Sequence, residues 1–177
     1  MVTGTWDAKT QMHADDLSGN VAPGYSYAAQ AIEVEVDTET GQVRVLDSFV
    51  ADDCGKALNP LAVHGQSNGA VAQSIGWTLY EQLQIDDGRI ANGNFADYTM
   101  PTPDALPELR SGIVESNDPN GPYGAKGASE TAILTGAPAI ANAVFDAVGV
   151  RITSLPITPE KVLAALQEKR SQEPSHA

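Results

Sequence analysis

Between Asn59 and Gln82 the chain carries a row of small residues, Gly65, Gly69, Ala72 and Gly76. Beside it runs an apolar stripe, Val71, Ile75, Leu79 and Leu83, that recurs every four residues. Asn59-Pro60 opens the segment as an N-cap followed by proline at the first helical position, where the missing N–H costs no bond. The pattern predicts one helix reaching about Gln82. Each interior glycine costs about 0.5–1 kcal/mol relative to alanine. Three in one helix imply that a helix, a sheet or a ligand comes close to its backbone, and packing is the commoner of these causes.

Upstream, Ile32, Val34 and Val36 alternate with Glu33 and Glu35, the signature of a half-buried strand. Asp37-Thr38-Glu39-Thr40-Gly41 is turn chemistry, and Val43, Val45 and Leu46 begin a return strand through Phe49 and Val50. Asp86-Asp87-Gly88 signals a second hairpin. Pro101, Pro103 and Pro107 mark a loop, and Ile113-Val114 a weak strand. Past Thr135-Gly136-Ala137-Pro138, a helix is expected with Ile140, Ala141, Val144, Phe145 and Val148 on one face. Thr158-Pro159-Glu160 caps another, running to about Lys169. The expected class is α+β: a mixed sheet with β-hairpins and two or three packed helices. The expected divisions are an N-terminal arm at 1–24, one domain at 25–169 and a disordered tail at 170–177.

Charge and cysteine content narrow the function. Ten Lys+Arg against 23 Asp+Glu leave a net charge of −13, which repels phosphate backbones and anionic membranes. The basic residues are scattered singly until Lys169-Arg170, so no nucleic-acid partner is expected. One cysteine, Cys54, excludes a disulfide framework or a four-thiolate cluster held by this chain alone. His13, His64 and His176 have no partners at helical spacing, so no metal ligands are assigned. No apolar run reaches membrane-spanning length, and Met1-Val2-Thr3-Gly4-Thr5-Trp6 does not resemble a secretory leader. The expectation is a cytoplasmic protein.

The densest chemistry lies in Gly121-Pro122-Tyr123-Gly124-Ala125-Lys126-Gly127-Ala128-Ser129-Glu130. Its glycines leave backbone N–H groups unshielded, able to cup a polar or anionic ligand. It is not a phosphate-binding P-loop, because Lys126 follows Ala125 and precedes Gly127. A glycine-rich loop ahead of a helix is more often a tight connection. Glu130 has two readings: a carboxylate favoured by the helix dipole, or a general base whose partial burial tunes it for taking a proton. Gln66 and Gln73 lie seven apart on one helix face, each offering a donor and an acceptor, and solvent exposure explains them equally well. Asp52-Asp53-Cys54-Gly55 reads as a turn or a site rim, Cys54 as a small buried hydrophobe, and His64 as a surface residue.

Several stretches together resemble the C-terminal part of the molybdenum-binding subunit of the molybdenum hydroxylases, the family of xanthine dehydrogenase, aldehyde oxidase and aerobic carbon monoxide dehydrogenase. They are Val34–Asp37 with Thr40-Gly41, Asp52–Gly55 with Asn59-Pro60, Gly65–Gly76, Asp97-Tyr98 with Met100-Pro101, Gly121–Glu130, Ala137–Ala143 and Leu155–Glu160. The resemblance runs from about Tyr25 to Leu166 and implies the family's second molybdopterin-binding domain. It implies Glu130 as the catalytic base beside molybdenum, acting on an aldehyde or N-heterocycle. Gln66, next to Gly65, would contact the pterin, and backbone groups around Lys126, Gly127 and Ala128 would line the same pocket. The cofactor would be molybdopterin in a dinucleotide form, its metal held by the pterin's own dithiolene and shared with a partner chain.

Three residues depart from the family pattern: Ser129 stands for an expected glycine, and Thr131-Ala132 for prolines. The family's molybdenum subunit is several times longer, so the resemblance implies a partner chain supplying the other half. Separate subunits would carry the iron–sulfur and flavin groups, with none on this chain. The alternative is a stand-alone domain that folds without cofactor. In either case an exposed apolar patch and self-association, most simply as a dimer, are expected.

Overall fold

The alternating segment forms strand β1 (Tyr27–Val36), and its return forms β2 (Val43–Asp53). The computed structural model describes residues 2–5, 10–11, 13–16 and 18–172. The turn closes through the Gly41 N–H on the Asp37 carbonyl at 2.7 Å, with Gly41 at φ +78°. β1 and β2 run antiparallel with a register shift between Glu33 and Val34, which pair with Asp47 and Val45. Leu46 is therefore the extra residue of a bulge. The bulge reverses the phase of β2, so Val43 and Val45 face inward before it and Ser48, Val50 and Asp52 after it, while Leu46 is exposed.

Helix α1 (Pro60–Leu79) follows, with the Asn59 side chain accepting from the Ala62 N–H at 3.2 Å. It ends three residues short of expectation. The Tyr80 and Glu81 amides both converge on the Gly76 carbonyl, at 2.9 and 2.8 Å, and turn the chain away. Leu83 thus leaves the apolar stripe and is exposed, whereas Val71, Ile75 and Leu79 are buried. A short hairpin follows, β3 (Ile85–Asp86) and β4 (Arg89–Ile90). After the proline-rich connection, β5 (Glu108–Val114) pairs parallel to β2, giving the sheet order β1-β2-β5. Val114 and Tyr27 both pair with Asp53, so all three sit in one row at the end of the sheet.

Helix α2 (Ile133–Val148) begins earlier than the sequence predicted and contains Thr135, Gly136 and Pro138. Pro138 is tolerated in its second turn because that side, with Leu134, faces solvent. Ile140 and Val144 are fully buried; Phe145, expected on the same face, is exposed beneath the Arg151 guanidinium. Helix α3 (Pro159–Gln172) runs past Lys169, so residues 170–172 of the expected tail are helical, and 173–177 lie outside the described residues. The described residues of the 1–24 arm contain no helix or strand. Among the described residues no helix is long and apolar enough to cross a membrane.

The core joins Val50, Val71, Ile75, Ile140, Val144, Ile157 and Val162, so β2 and all three helices meet in it. Where α1 meets α2 the contact is small: a Cβ on Gly136 would collide with the Ser74 side chain, whose hydroxyl already donates to the Val71 carbonyl. Ser67 and Thr78 are also buried on α1 and hydrogen-bonded, to Asp52 and the Ser74 carbonyl. By contrast, a Cβ on Gly65 or Gly69 would meet nothing within 4 Å. Within this chain, then, one glycine on α2 explains the helix–helix approach, and the outer glycines of α1 face open space. Gly136→Ala is expected to lower stability by about 1–3 kcal/mol through overpacking, read as a lower urea midpoint at unchanged slope.

Candidate functional site

The glycine-rich segment lies across the end of the three-stranded sheet and is fastened to it. It opens with a 3-10 turn at Pro122–Gly124, where Tyr123 takes φ +57°. It then extends past the β2 terminus, where the Lys126 amide donates to the Cys54 carbonyl at 2.8 Å. The Lys126 ammonium reaches the Asp53 carboxylate at 2.7 Å, with side-chain exposures of only 7% and 13%. It also lies 5.1 Å from the centroid of the Tyr27 ring. On the next residue the Gly127 carbonyl accepts from the Ser26 hydroxyl at 2.6 Å. Gly55 has to be glycine here: its φ is +70°, and a Cβ would strike the Gly124 carbonyl.

Beyond this fastening the segment is unpaired. Among the described residues, no hydrogen bond uses the N–H groups of Gly127, Ala128, Ser129 or Glu130. Four consecutive unused amides form a donor edge suited to oxygen or ring-nitrogen acceptors. Two recesses flank it. One, of about 600 Å³, is lined by Gln73 and Trp77 of α1 together with Ser26, Gly127, Ser129 and Glu130. The other, of about 280 Å³, brings Gln66 together with Cys54, Asn59, Lys126, Ala128 and Ser129.

The structure thus separates residues that the sequence grouped. Gln66 and Gln73 both stand on the exposed face of α1, about 10 Å apart along its axis at 1.5 Å per residue. Gln66 fronts one recess with Lys126 and Ala128; Gln73 fronts the other with Gly127 and Glu130. Gly65 lies beside Gln66 in open space. Lys126 contributes a wall only, because its ammonium is spent on Asp53 and its amide on Cys54. The donors expected around Lys126 therefore begin one residue later, at Gly127. Glu130 is exposed and lies three residues ahead of α2, its carbonyl accepting from the Ile133 amide at 3.2 Å. The burial that a general base calls for is not supplied by the described chain. Of the departures from the family pattern, Ala132 is buried in the core and Ser129 touches both recesses.

Ser26 and Trp77 were not singled out in the sequence. Trp77 carried a usable signal, an aromatic one turn beyond Gln73 on a solvent-facing line, whereas Ser26 carried none. His64, expected at the surface, is half-buried, its Nδ1 2.8 Å from the Ser111 hydroxyl. Among the described residues no cluster of three His, Cys, Asp or Glu could grip a metal ion.

Two adjacent carboxylates have opposite surroundings. Burial works to raise Asp53, but bonds from Lys126, the Gly55 amide and Ser116 outweigh it and hold the carboxyl down at about 2. Burial likewise pushes up Asp52, and there it wins, because its Oδ1 has no partner and only the Ser67 hydroxyl bonds the other oxygen. The buried Cys54 thiol is also pushed up, by desolvation and the acidic groups around it, which suits a packing role.

A family model described as the molybdopterin cofactor-binding domain matches residues 1–107, a span that holds Gln66 and Gln73 but stops short of Glu130. The chain is 36% identical over 158 residues to the 6-hydroxypseudooxynicotine dehydrogenase complex subunit gamma of Paenarthrobacter nicotinovorans, covering 87% of this chain and 20% of that protein. It is 39% identical to the putative xanthine dehydrogenase molybdenum-binding subunit XdhA of Escherichia coli, covering 77% and 18%. Among solved structures it superimposes on aldehyde oxidoreductase from Desulfovibrio gigas with a TM-score of 0.80 at 36% identity, covering 88% and 17%. The chain therefore spans about a fifth of the length of these relatives.

The two carboxylates predict pH dependences of opposite sign. A depressed group stabilises the fold above its unfolded pKa and loses that contribution as pH falls through its folded value. Asp53 therefore supports stability above about pH 4, lost toward pH 2. Asp53→Asn should flatten that window and cost about 3 kcal/mol near neutrality by stranding Lys126. Asp52, raised in the fold, makes stability fall as pH climbs past 3.8, and Asp52→Asn should remove that decline. Urea titrations across pH 2–8 read both.

Proposed function

The chain belongs to the molybdopterin cofactor-binding domain family of the molybdenum hydroxylases, and from that premise we propose that it forms part of such a hydroxylase, with Glu130 as general base. The observation that carries this reading is the recess lined by Glu130 and Gln73 together with Gly127 and Ser129, whose backbone amides are unused. The residues fit a pterin: it is rich in ring nitrogens and carbonyl oxygens, which the Gly127–Glu130 donor edge and the two-way amides of Gln66 and Gln73 can bond. Molybdenum would come on the pterin's own dithiolene sulfurs.

When bound, that cofactor supplies the redox-active centre that accepts two electrons from the substrate carbon. What this chain supplies is placement and proton handling. The amides from Gly127 to Glu130 orient polar edges, and Gln66 holds the pterin from the α1 side. Trp77, Ile133 and Leu134 give the Glu130 recess an apolar side. Glu130 takes the proton released as the attacking oxygen bonds the substrate, a role that contributes about 10²–10⁴ in rate. Relatives named for xanthine, nicotine and aldehyde chemistry support an aldehyde or N-heterocycle as the substrate class.

The exposure of Glu130 supports the requirement for a partner chain, because a base in open water gains little from its position. Leu61, Phe95, Tyr123 and Leu134 are exposed as well, supplying apolar surface that a partner would cover. Iron–sulfur and flavin groups would lie on further subunits, and the pterin would be a dinucleotide. The same exposure supports a second reading, a domain that folds alone without turnover.

Molybdenum and pterin content, measured after mild purification from the native host, separates the two readings. About one molybdenum per chain with a co-eluting polypeptide is expected of the catalytic reading. Neither would mean the stand-alone domain. In the loaded assembly, Glu130→Gln is expected to lower kcat about 10²–10⁴-fold while molybdenum content is kept. Turnover that survives this substitution would sink the assignment of Glu130.

A further inference from the structure

We propose that Asp53 and Lys126 are positioning residues for Glu130, their buried ion pair bolting the donor edge and the carboxylate to the end of β2; the catalytic part of this rests on the reading of Glu130 as base. Asp53 accepts four hydrogen bonds at once. Lys126 occupies one oxygen at 2.7 Å, and the Gly55 amide and Ser116 hydroxyl bond the other at 3.0 and 2.9 Å, with the Ser116 amide at 3.4 Å. The three other ion pairs among the described residues are exposed at the surface, where such pairs contribute little. This one is not. Burying two charges is costly, and an apolar pair of similar volume is often as stable or more so. Its value therefore lies in where it holds the chain, since a directional salt bridge fixes one register of the loop on the sheet.

The path from bolt to carboxylate is short. Lys126 is held by side chain and backbone together, and Gly127 by Ser26 from the β1 side. From there two residues without hydrogen bonds at their amides, Ala128 and Ser129, lead to Glu130, whose carbonyl then enters the first turn ahead of α2. No hydrogen bond or ion pair among the described residues holds the Glu130 carboxylate itself. Its location is set by the two ends of this bridge, the Asp53–Lys126 bolt and α2. A shift of about 1 Å in a catalytic group can cost a hundredfold in rate.

The double substitution Asp53→Asn with Lys126→Met tests this, because it removes both charges and strands neither. In the full chain, hydrogen exchange at the Lys126 amide, now bonded to Cys54, should accelerate about tenfold or more. The amides of Val50 and Ile75 should keep their protection. In the loaded assembly kcat should fall about ten- to a hundredfold with KM within about twofold. Lys126→Arg, which keeps the charge, should recover slow exchange and most of the turnover. Unchanged exchange at Lys126, or a loss of protection that spreads equally through Val50 and Ile75, would overturn the bolt. Faster local exchange with undiminished kcat would overturn its positioning role. Turnover that survives Glu130→Gln would instead remove the base reading alone, while exchange at Lys126 still decides the bolt.

Discussion

The contact between Lys126 and Asp53 organises this molecule's functional end. β1 begins and β2 and β5 finish in one row, Tyr27, Asp53 and Val114, and the glycine-rich segment crosses that row under a single buried ammonium. The ammonium is neutralised by a carboxylate from β2 and lies over an aromatic ring from β1. Gly55 makes room for the crossing segment, and the Cys54 carbonyl takes the Lys126 amide. A motif at the end of one strand and a motif about seventy residues later are thus halves of one joint.

Helix α1 performs two tasks on opposite faces. Its inner face, Val71, Ile75 and Leu79 with buried Ser67, Ser74 and Thr78, packs against the sheet and against α2 at Gly136. The Ser74 hydroxyl is bonded within its own helix, so the two helix backbones approach there without stranding it. Its outer face carries Gln66, Gln73 and Trp77 over open recesses. Rigid packing on one side is what gives the glutamines on the other a fixed spacing, a condition for any site that recognises a flat heterocycle.

The same geometry shows what this chain supplies and what it leaves open. The donor edge, the carboxylate and the glutamines are present, on backbone that the sheet end and α1 hold. The recess containing Glu130 is nonetheless broad, and large apolar side chains surround it in solvent. In a site of this kind the rate advantage depends on excluding water. The chain corresponds to about a fifth of its relatives, and a covering surface is the element that its own fold does not provide.

Local pattern alone determined β1 and β2, the hairpin turns, the caps at Asn59 and Thr158 and the inward face of α1, because side-chain period and turn chemistry act over a few residues, whereas it marked only Ile113-Val114 of β5 (Glu108–Val114). Even there, pattern erred at the points where tertiary contacts compete. α1 stops at Leu79 because the Gly76 carbonyl is claimed twice, and α2 begins before Pro138 because its proline side faces solvent. The residues of the candidate site were legible as types: Glu130, Gln66, and glycines able to bare their amides. Which of them share a recess was not. Gln66 and Glu130 fell into different recesses, Gln73 and Trp77 joined Glu130, and Lys126 turned inward. Those outcomes depend on Asp53 meeting Lys126 across 73 residues of sequence, a long-range pairing of charge and space that no local period encodes and only the folded sheet brings about.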